Sequence, residues 1–330
     1  PAGRAPESAA AAQLIAHWQL GLGDGSTVID SSGNGHDGTI SGGAWINEAP
    51  VASDNAYSLD FLGNAFVQAP AFAINDDFTV MAWVNPGELN NRAILGKHTD
   101  GGANQLLFGF YQGGYHLALQ GDSYTGGDPI AGWQQLILTG DANQMGTLVT
   151  LYRNGQQLWQ HQYKSVAGDM SGGKGWTVGR DWDGQVTNDF FDGKMADVRI
   201  YNAALSESEI AALTAPRLVS HWRLDEGSGP VAGDSSGNGY DGTISSGTWS
   251  TDVPPGAGLS HSLRLEGQGS VQTAAFDLDD SFTVAAWAKP ESFSNNALLA
   301  KHTDDGSNQF VFGFYRDGYH ANIRNEYVDV

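Results

Sequence analysis

Three features of the 330-residue sequence predict an all-β protein built as two tandem units. The first is an internal repeat: residues 14–116 and 218–320 align at a constant offset of 204 without a gap, and about half the aligned positions are identical. A unit of that size far exceeds the roughly 20–50-residue period of solenoids, so each copy is a domain in its own right. The second is composition: 45 glycines punctuate runs rich in aromatic and β-branched residues, the composition of turns and strands. The third is spacing, with strand-like segments separated by Gly, Asn and Asp along both copies. The repeat sets the expected boundaries: an alanine-rich, unstructured leader over 1–13, a first domain over 14–214, a short linker over 215–217, and the N-terminal part of a second domain over 218–330. The second copy reaches Val330 at a point equivalent to residue 126 of the first, so it is expected to be incomplete within this sequence.

The elements follow in order. His17-Trp18-Gln19-Leu20 is an opening strand. Phe78 to Val84 puts Phe78, Val80, Ala82 and Val84 on one face and Thr79, Met81 and Trp83 on the other. Both faces are largely apolar, which predicts a central strand covered on both sides. Leu106 to Tyr111 and Tyr115 to Leu119 flank a glycine pair and read as a hairpin. Leu148 to Tyr152 and Gln157 to Trp159 flank Asn154-Gly155, the pair that supplies the positive φ angles of a type I′ turn. Met195 to Tyr201 is the last strand of the first domain. One helix is predicted, because Ser206-x-x-Glu209 has the spacing of a capping box and runs into Ile210, Ala211, Ala212 and Leu213. Trp18, Trp83 and Trp133 lie in strand patterns and are expected in the core.

Charge and cysteine content exclude several classes. With 37 acidic against 16 basic residues the formal net charge is −21, which opposes nucleic-acid binding. There is no cysteine, hence no disulfide, and no apolar run of the roughly 18 residues a membrane-spanning helix needs.

The order of short signatures resembles a known family. Asp30-Ser31-Ser32-Gly33-Asn34-Gly35 follows the opening strand; then come Phe78-Thr79-Val80-Met81-Ala82-Trp83, Leu151-Tyr152-Arg153-Asn154-Gly155 and Val178-Gly179-Arg180-Asp181. Asp192-Gly193-Lys194-Met195-Ala196-Asp197-Val198-Arg199-Ile200-Tyr201 and Ala204-Leu205-Ser206-Glu207-Ser208-Glu209-Ile210 close the unit. In this order they resemble the laminin-G-like, concanavalin-A-like lectin/glucanase domains of exported bacterial proteins. The resemblance implies a jelly-roll β-sandwich of two curved antiparallel sheets, here in tandem with the second copy incomplete. It also implies an extracellular or cell-surface setting and non-catalytic binding of a glycan or cell-surface protein, often with calcium.

Candidate chemistry lies mostly in loops. Asp30, Asn34 and Asp37 offer oxygen ligands in a glycine-rich turn, which suits calcium, although an Asx turn joining two strands explains the same residues. The pattern is no EF-hand, since Ser32 stands at its third position and Ser41 at its twelfth. The resemblance adds Asp197, because in the family a carboxylate of the final strand lies near this loop. For ligand contact the candidates are Trp182 and its neighbour Asp181, in a loop that also carries Asp183, then Tyr124, and His98 in the Lys97-His98-Thr99-Asp100 turn, where plain loop structure competes. Catalysis is not expected: the Glu-x-Asp-x-x-Glu run of the family's glucanases is missing, and Asp76-Asp77 suits a turn. The sequence therefore points to a calcium-supported attachment module, with a structural subunit of an adhesin or surface filament, or an accessory fragment of a secreted polysaccharide-degrading enzyme, as the alternatives. The missing half of the second copy would be supplied by neighbouring sequence or by another chain.

Overall fold

The structure is a computed structural model, and it describes residues 12–50, 53, 55–276, 282–302, 308–323 and 326–329. Most of the leader therefore lies outside the described residues. The chain divides into two units, the first running to Val219 and the second starting at Ser220, within a few residues of the repeat boundary.

The first unit opens with β1 (Leu14–Trp18), β2 (Thr27–Val28), β3 (Gly38–Ser41), β4 (Ala44–Ile46), β5 (Ser58–Asp60) and β6 (Phe66–Gln68). Longer strands follow: β7 (Phe78–Pro86), β8 (Arg92–His98), β9 (Asn104–Tyr111), β10 (Gly114–Leu119), β11 (Asp122–Gly126), β12 (Gln134–Asn143), β13 (Gly146–Arg153) and β14 (Gln156–Tyr163). It closes with β15 (Thr177–Val178), β16 (Asp181–Asp183), β17 (Val186–Asn188), β18 (Gly193–Tyr201) and the helix α1 (Glu207–Leu213). Two eight-stranded antiparallel sheets result. One runs β14-β13-β12-β7-β18-β5-β4 with β1 also on β18, and the other runs β11-β10-β9-β8-β15-β6-β3-β2.

The two sheets face each other across one core. Phe78, Val80, Ala82 and Val84 of β7 meet Phe108, Phe110, Tyr115 and Leu117 of β9 and β10, all buried. The opposite face of β7 is apolar for a separate reason. Met81 and Ile137 lie under Leu205 and Ile210, with Trp83, Tyr152 and Leu213 at the margin, so α1 covers the outer face of the first sheet. The capping box is formed as the sequence predicts: Ser206 Oγ accepts from the Glu209 N–H, and Glu209 Oε2 accepts from the Ser206 N–H. Trp18 is in the core, but Trp133 is not. It precedes β12, is only half-buried, and donates its indole N–H to Glu48 Oε1 at 3.2 Å.

The second unit holds a three-stranded sheet of β19 (Val231–Ala232), β20 (Gly242–Ser250) and β21 (Ser262–Thr273), and a four-stranded sheet of β22 (Asn296–His302), β23 (Asn308–Tyr315), β24 (Gly318–Ile323) and β25 (Glu326–Asp329). Residues 282–290 copy β7 in sequence yet form no strand, and Trp287 is 76% exposed. In the first unit β7 is hydrogen-bonded between β12 and β18. At the repeat offset the counterparts of those two strands lie outside residues 1–330, and residues 282–290 are unpaired in this structure.

Candidate functional site

Among the described residues no helix covers the outer face of the second sheet, which holds a groove of about 650 Å³. Its floor follows from register. Ala93 of β8 pairs with Gly109 of β9, which pairs with His116 of β10, which pairs with Thr125 of β11. Leu106, Phe108 and Phe110 enter the core, so the alternate residues Leu107, Gly109 and Tyr111 face outward. A bulge between Ala93 and Leu95 brings β8 so close that a Cβ on Gly109 would lie 2.2 Å from the Arg92 carbonyl oxygen. Only glycine fits there, and the floor is left low beside His116. The His116 ring leans against Tyr111, centroids 5.1 Å apart, and its Nδ1 is hydrogen-bonded to Thr125 Oγ1 at 2.8 Å. Burial pushes this imidazole below its ordinary range, with the Asp181 charge opposing.

The walls are polar and incompletely satisfied. Arg92, Asn104, Asp122, Asp181 and Asp189 line the groove. Arg92 Nε and Asn104 Oδ1 are buried and have no hydrogen-bond partner. Native proteins seldom leave such atoms orphaned, and the exceptions concentrate at functional sites. Asp189 sits at φ 47°, a left-handed conformation that Asp tolerates better than most residues. Burial pushes its carboxyl up, Asp181 and Asp183 add to that, and Arg92 opposes them.

Of the ligand candidates read from the sequence, Asp181 alone lines the groove. His98 is not a loop contact: it belongs to β8, is fully buried, and its Nε2 is 2.6 Å from Asp181 Oδ1. It positions Asp181 from behind. Its neighbour Lys97 is equally buried and donates to the carbonyls of Gly172 and Lys174 at 2.6 and 2.8 Å, fastening the segment before β15 to β8. Trp182 lies on the β16–β17 hairpin outside the groove lining. Lys174 Nζ stands 3.9 Å from its ring centroid and the Arg180 guanidinium 4.6 Å, so cations of the protein already occupy its surroundings. Tyr124 pairs across from the core residue Leu117, packs on the core, and stacks on His161 at 4.2 Å. It faces the sandwich interior because β11 continues the sheet where the sequence suggests a loop.

The calcium candidates are brought together only in part, and their donors are committed to the protein. Asp30 accepts backbone N–H groups from His17 at 2.9 Å, Ser32 at 3.0 Å and His36 at 2.9 Å, while its own N–H donates to Asp37 Oδ1 at 2.8 Å. Burial alone would raise the Asp30 carboxyl, but the bonds with Ser32, His36 and His17 hold it below the usual range. Asn34 turns its amide nitrogen to the carbonyls of Leu14 and Ile15, at 3.0 Å each. Asp197 is buried in an ion pair with Arg199 and accepts from His17 Nε2 at 2.7 Å. These four side chains do not fit a calcium ligand set, since Asp30 is saturated with N–H donors, Asp197 is paired with Arg199, Asp37 already accepts the Asp30 N–H, and the Asn34 amide oxygen is not the contacting atom. Among the described residues no three His, Cys, Asp or Glu side chains converge as metal ligands. The loop instead caps the opening strand: the Trp18 indole donates to the His36 carbonyl at 2.8 Å, and Trp222 repeats this with Tyr240 at 2.7 Å.

Sequence reasoning missed the groove floor, although one signal was present. Tyr111 and His116 recur as Tyr315 and His320, and in the second unit their rings again lie 5.4 Å apart at 51°, against 52° in the first. The row beneath recurs too, with Ala297 paired to Gly313 and Gly313 to His320.

Residues 61–211 match the family described as the Concanavalin A-like lectin/glucanases superfamily. Among solved structures, the chain is similar to domain 4 of AbnA, an extracellular GH43 arabinanase from Geobacillus stearothermophilus in complex with arabinotriose, at 21% identity and a TM-score of 0.47, over 62% of this chain and 98% of that one. It is also similar to the binding domain of Paraclostridial Mosquitocidal Protein 1, at 13% identity and a TM-score of 0.49, over 96% and 88%. A third is the Trypanosoma rangeli sialidase, at 15% identity and a TM-score of 0.44, over 61% of this chain and 32% of the sialidase. These likenesses concern the fold. No curated protein matches the chain.

Proposed function

We propose that the chain is a non-catalytic, extracellular glycan-binding module of the lectin type, and that the sugar lies in the groove on the outer face of the second sheet. The supporting observation is the Tyr111–His116 platform with unpartnered polar atoms, Arg92 Nε and Asn104 Oδ1, at its edge. A tilted ring pair beside a side-chain-free strip offers contact to the apolar face of a pyranose or furanose, and the orphaned donor and acceptor suit its hydroxyls. The family that residues 61–211 match, described by both lectins and glucanases, is consistent with either role. The non-catalytic choice rests on Asp181, whose Oδ1 accepts from both His98 and the Trp182 N–H. Asp122, the other carboxylate of the lining, likewise accepts the Ser123 and Lys164 N–H groups, so Asp189 has no uncommitted partner carboxyl in the groove for acid–base cleavage. Calcium has no part in this reading. No helix among the described residues is long and apolar enough to cross a membrane.

The test is affinity electrophoresis of the full chain against a polysaccharide panel, with Tyr111→Ala and His116→Ala beside Met145→Ala, an exposed turn residue remote in sequence from the groove residues. Retardation that both groove variants lose and the control keeps, unchanged by chelator and without reducing-end release, supports the reading. Retardation by no glycan, or equal retardation of all variants, sinks it.

A further inference from the structure

The charges of the groove say which glycans it admits. Its lining carries Asp122, Asp181 and Asp189 against a single cation, Arg92, and Arg92 is already ion-paired with Glu88. His116 adds no positive charge near neutrality, because burial disfavours its protonated form. Asp189 shows the arrangement best. Its carboxylate makes no hydrogen bond among the described residues, although its backbone carbonyl accepts from the Ala93 N–H at 2.8 Å and so fixes the residue at the groove wall. The carboxylate is partly desolvated, sits on a residue held in a left-handed conformation, and lines the groove where a donor can reach it. A hydroxyl donor from a bound molecule would satisfy it. A carboxylate or sulfate on the ligand brings only acceptors and a like charge, in a setting where water screens poorly.

Resting on the glycan reading of this groove, we propose that it selects uncharged glycans and rejects uronic, sialic and sulfated ones. Asp189 is then the specificity-determining residue: it accepts from a sugar hydroxyl and repels ligand anions. The second unit keeps the platform residues Tyr315 and His320 but has Asn296 where the first has Arg92, and the positions equivalent to Asp181 and Asp189 fall outside residues 1–330.

The experiment uses the full chain and a matched pair of polymers, polygalacturonate and the same polymer after carboxyl reduction, alongside neutral xylan and β-glucan and anionic polysialic acid and chondroitin sulfate. The expected result is Tyr111-dependent retardation by at least one neutral glycan and at least tenfold weaker retardation by every anionic one, with the difference shrinking as salt is raised. Asp189→Asn, which retains the tolerance for positive φ, should weaken neutral binding severalfold and narrow the neutral-to-anionic ratio. Tyr111-dependent binding of an anionic glycan as tight as that of a neutral one overturns the selectivity while leaving the glycan reading intact. Binding of no glycan at all overturns both. An Asp189→Asn variant that binds both classes as the parent does removes Asp189 from the specificity role.

Discussion

Burial raises the carboxyls of both Asp30 and Asp189, yet their net shifts are opposite, because Asp30 accepts several N–H donors and the Asp189 carboxylate accepts none among the described residues. Asp30 is held low by the N–H groups of Ser32, His36 and His17, and its repeat Asp234, in the same arrangement, is lowered to about 2, burial opposing and the bonds from His221, Ser236 and Tyr240 prevailing. A depressed carboxyl contributes stability above its unfolded value near 3.8, and that stability is lost as pH falls through the folded value. Asp30→Asn should therefore lower the melting temperature at neutral pH, with the gap to the parent closing below about pH 4, where the parent carboxyl also protonates. Asp189 is raised, so its ionisation costs stability as pH climbs through the folded value. Asp189→Asn should melt higher than the parent at neutral pH and equal to it in acid, even as it binds glycan less well. A neutral-pH melting point for Asp189→Asn below that of the parent would show that the carboxylate has a structural partner. Calcium should not rescue Asp30→Asn. Restoration of its melting point by calcium would return the loop to the metal-site reading.

At the level of elements, what was legible in the sequence was what local chemistry decides. Asn154 and Gly155 take φ values of 51° and 78°, the turn their pair predicts, and α1 begins where Ser206 and Glu209 form their reciprocal cap. The groove could not be read in the same way. Its floor depends on which residue of β8 faces Gly109 and which of β10 does, and the β8 bulge shifts that register by a residue. Attention to aromatics in apparent loops instead selected Trp182 and Tyr124, whose segments prove to be the strands β16 and β11. The helix also decides which face of the sandwich is available, because it covers Met81 and Ile137 of the first sheet and leaves the second sheet open. Ile210 is its one fully buried side chain and the contact that holds it there. Ile210→Ala should cost about 2–4 kcal/mol in urea unfolding of the first unit. Glycan affinity should stay unchanged, since the groove is on the other sheet. A loss of affinity at full folding would couple the two faces.

At the scale of the whole chain, the repeat provides an internal control on what makes a strand. Phe78-Thr79-Val80-Met81-Ala82-Trp83 and Phe282-Thr283-Val284-Ala285-Ala286-Trp287 are nearly the same six residues, with the same β propensity. In the first unit they form β7 with Phe78, Val80 and Ala82 in the core, while in the second they form no strand, with Phe282 37% and Trp287 76% exposed. Propensity is thus a weak cause, and the ladders to β12 and β18 are the strong one. The difference should appear directly in amide hydrogen exchange of the 330-residue chain. Amides of residues 78–84 should exchange only through global opening of the first unit, and those of 282–288 should exchange orders of magnitude faster. Chymotrypsin should likewise cut first at Trp287 or Phe293, both exposed, and leave the first unit whole. Supplying the two missing ladders is the decisive manipulation. Repeating residues 127–214 after Val330 would give the second copy strands equivalent to β12 and β18, and residues 282–288 should then become as protected as 78–84. Equal protection before that addition would mean that the second unit buries this segment by a route independent of the jelly-roll ladders.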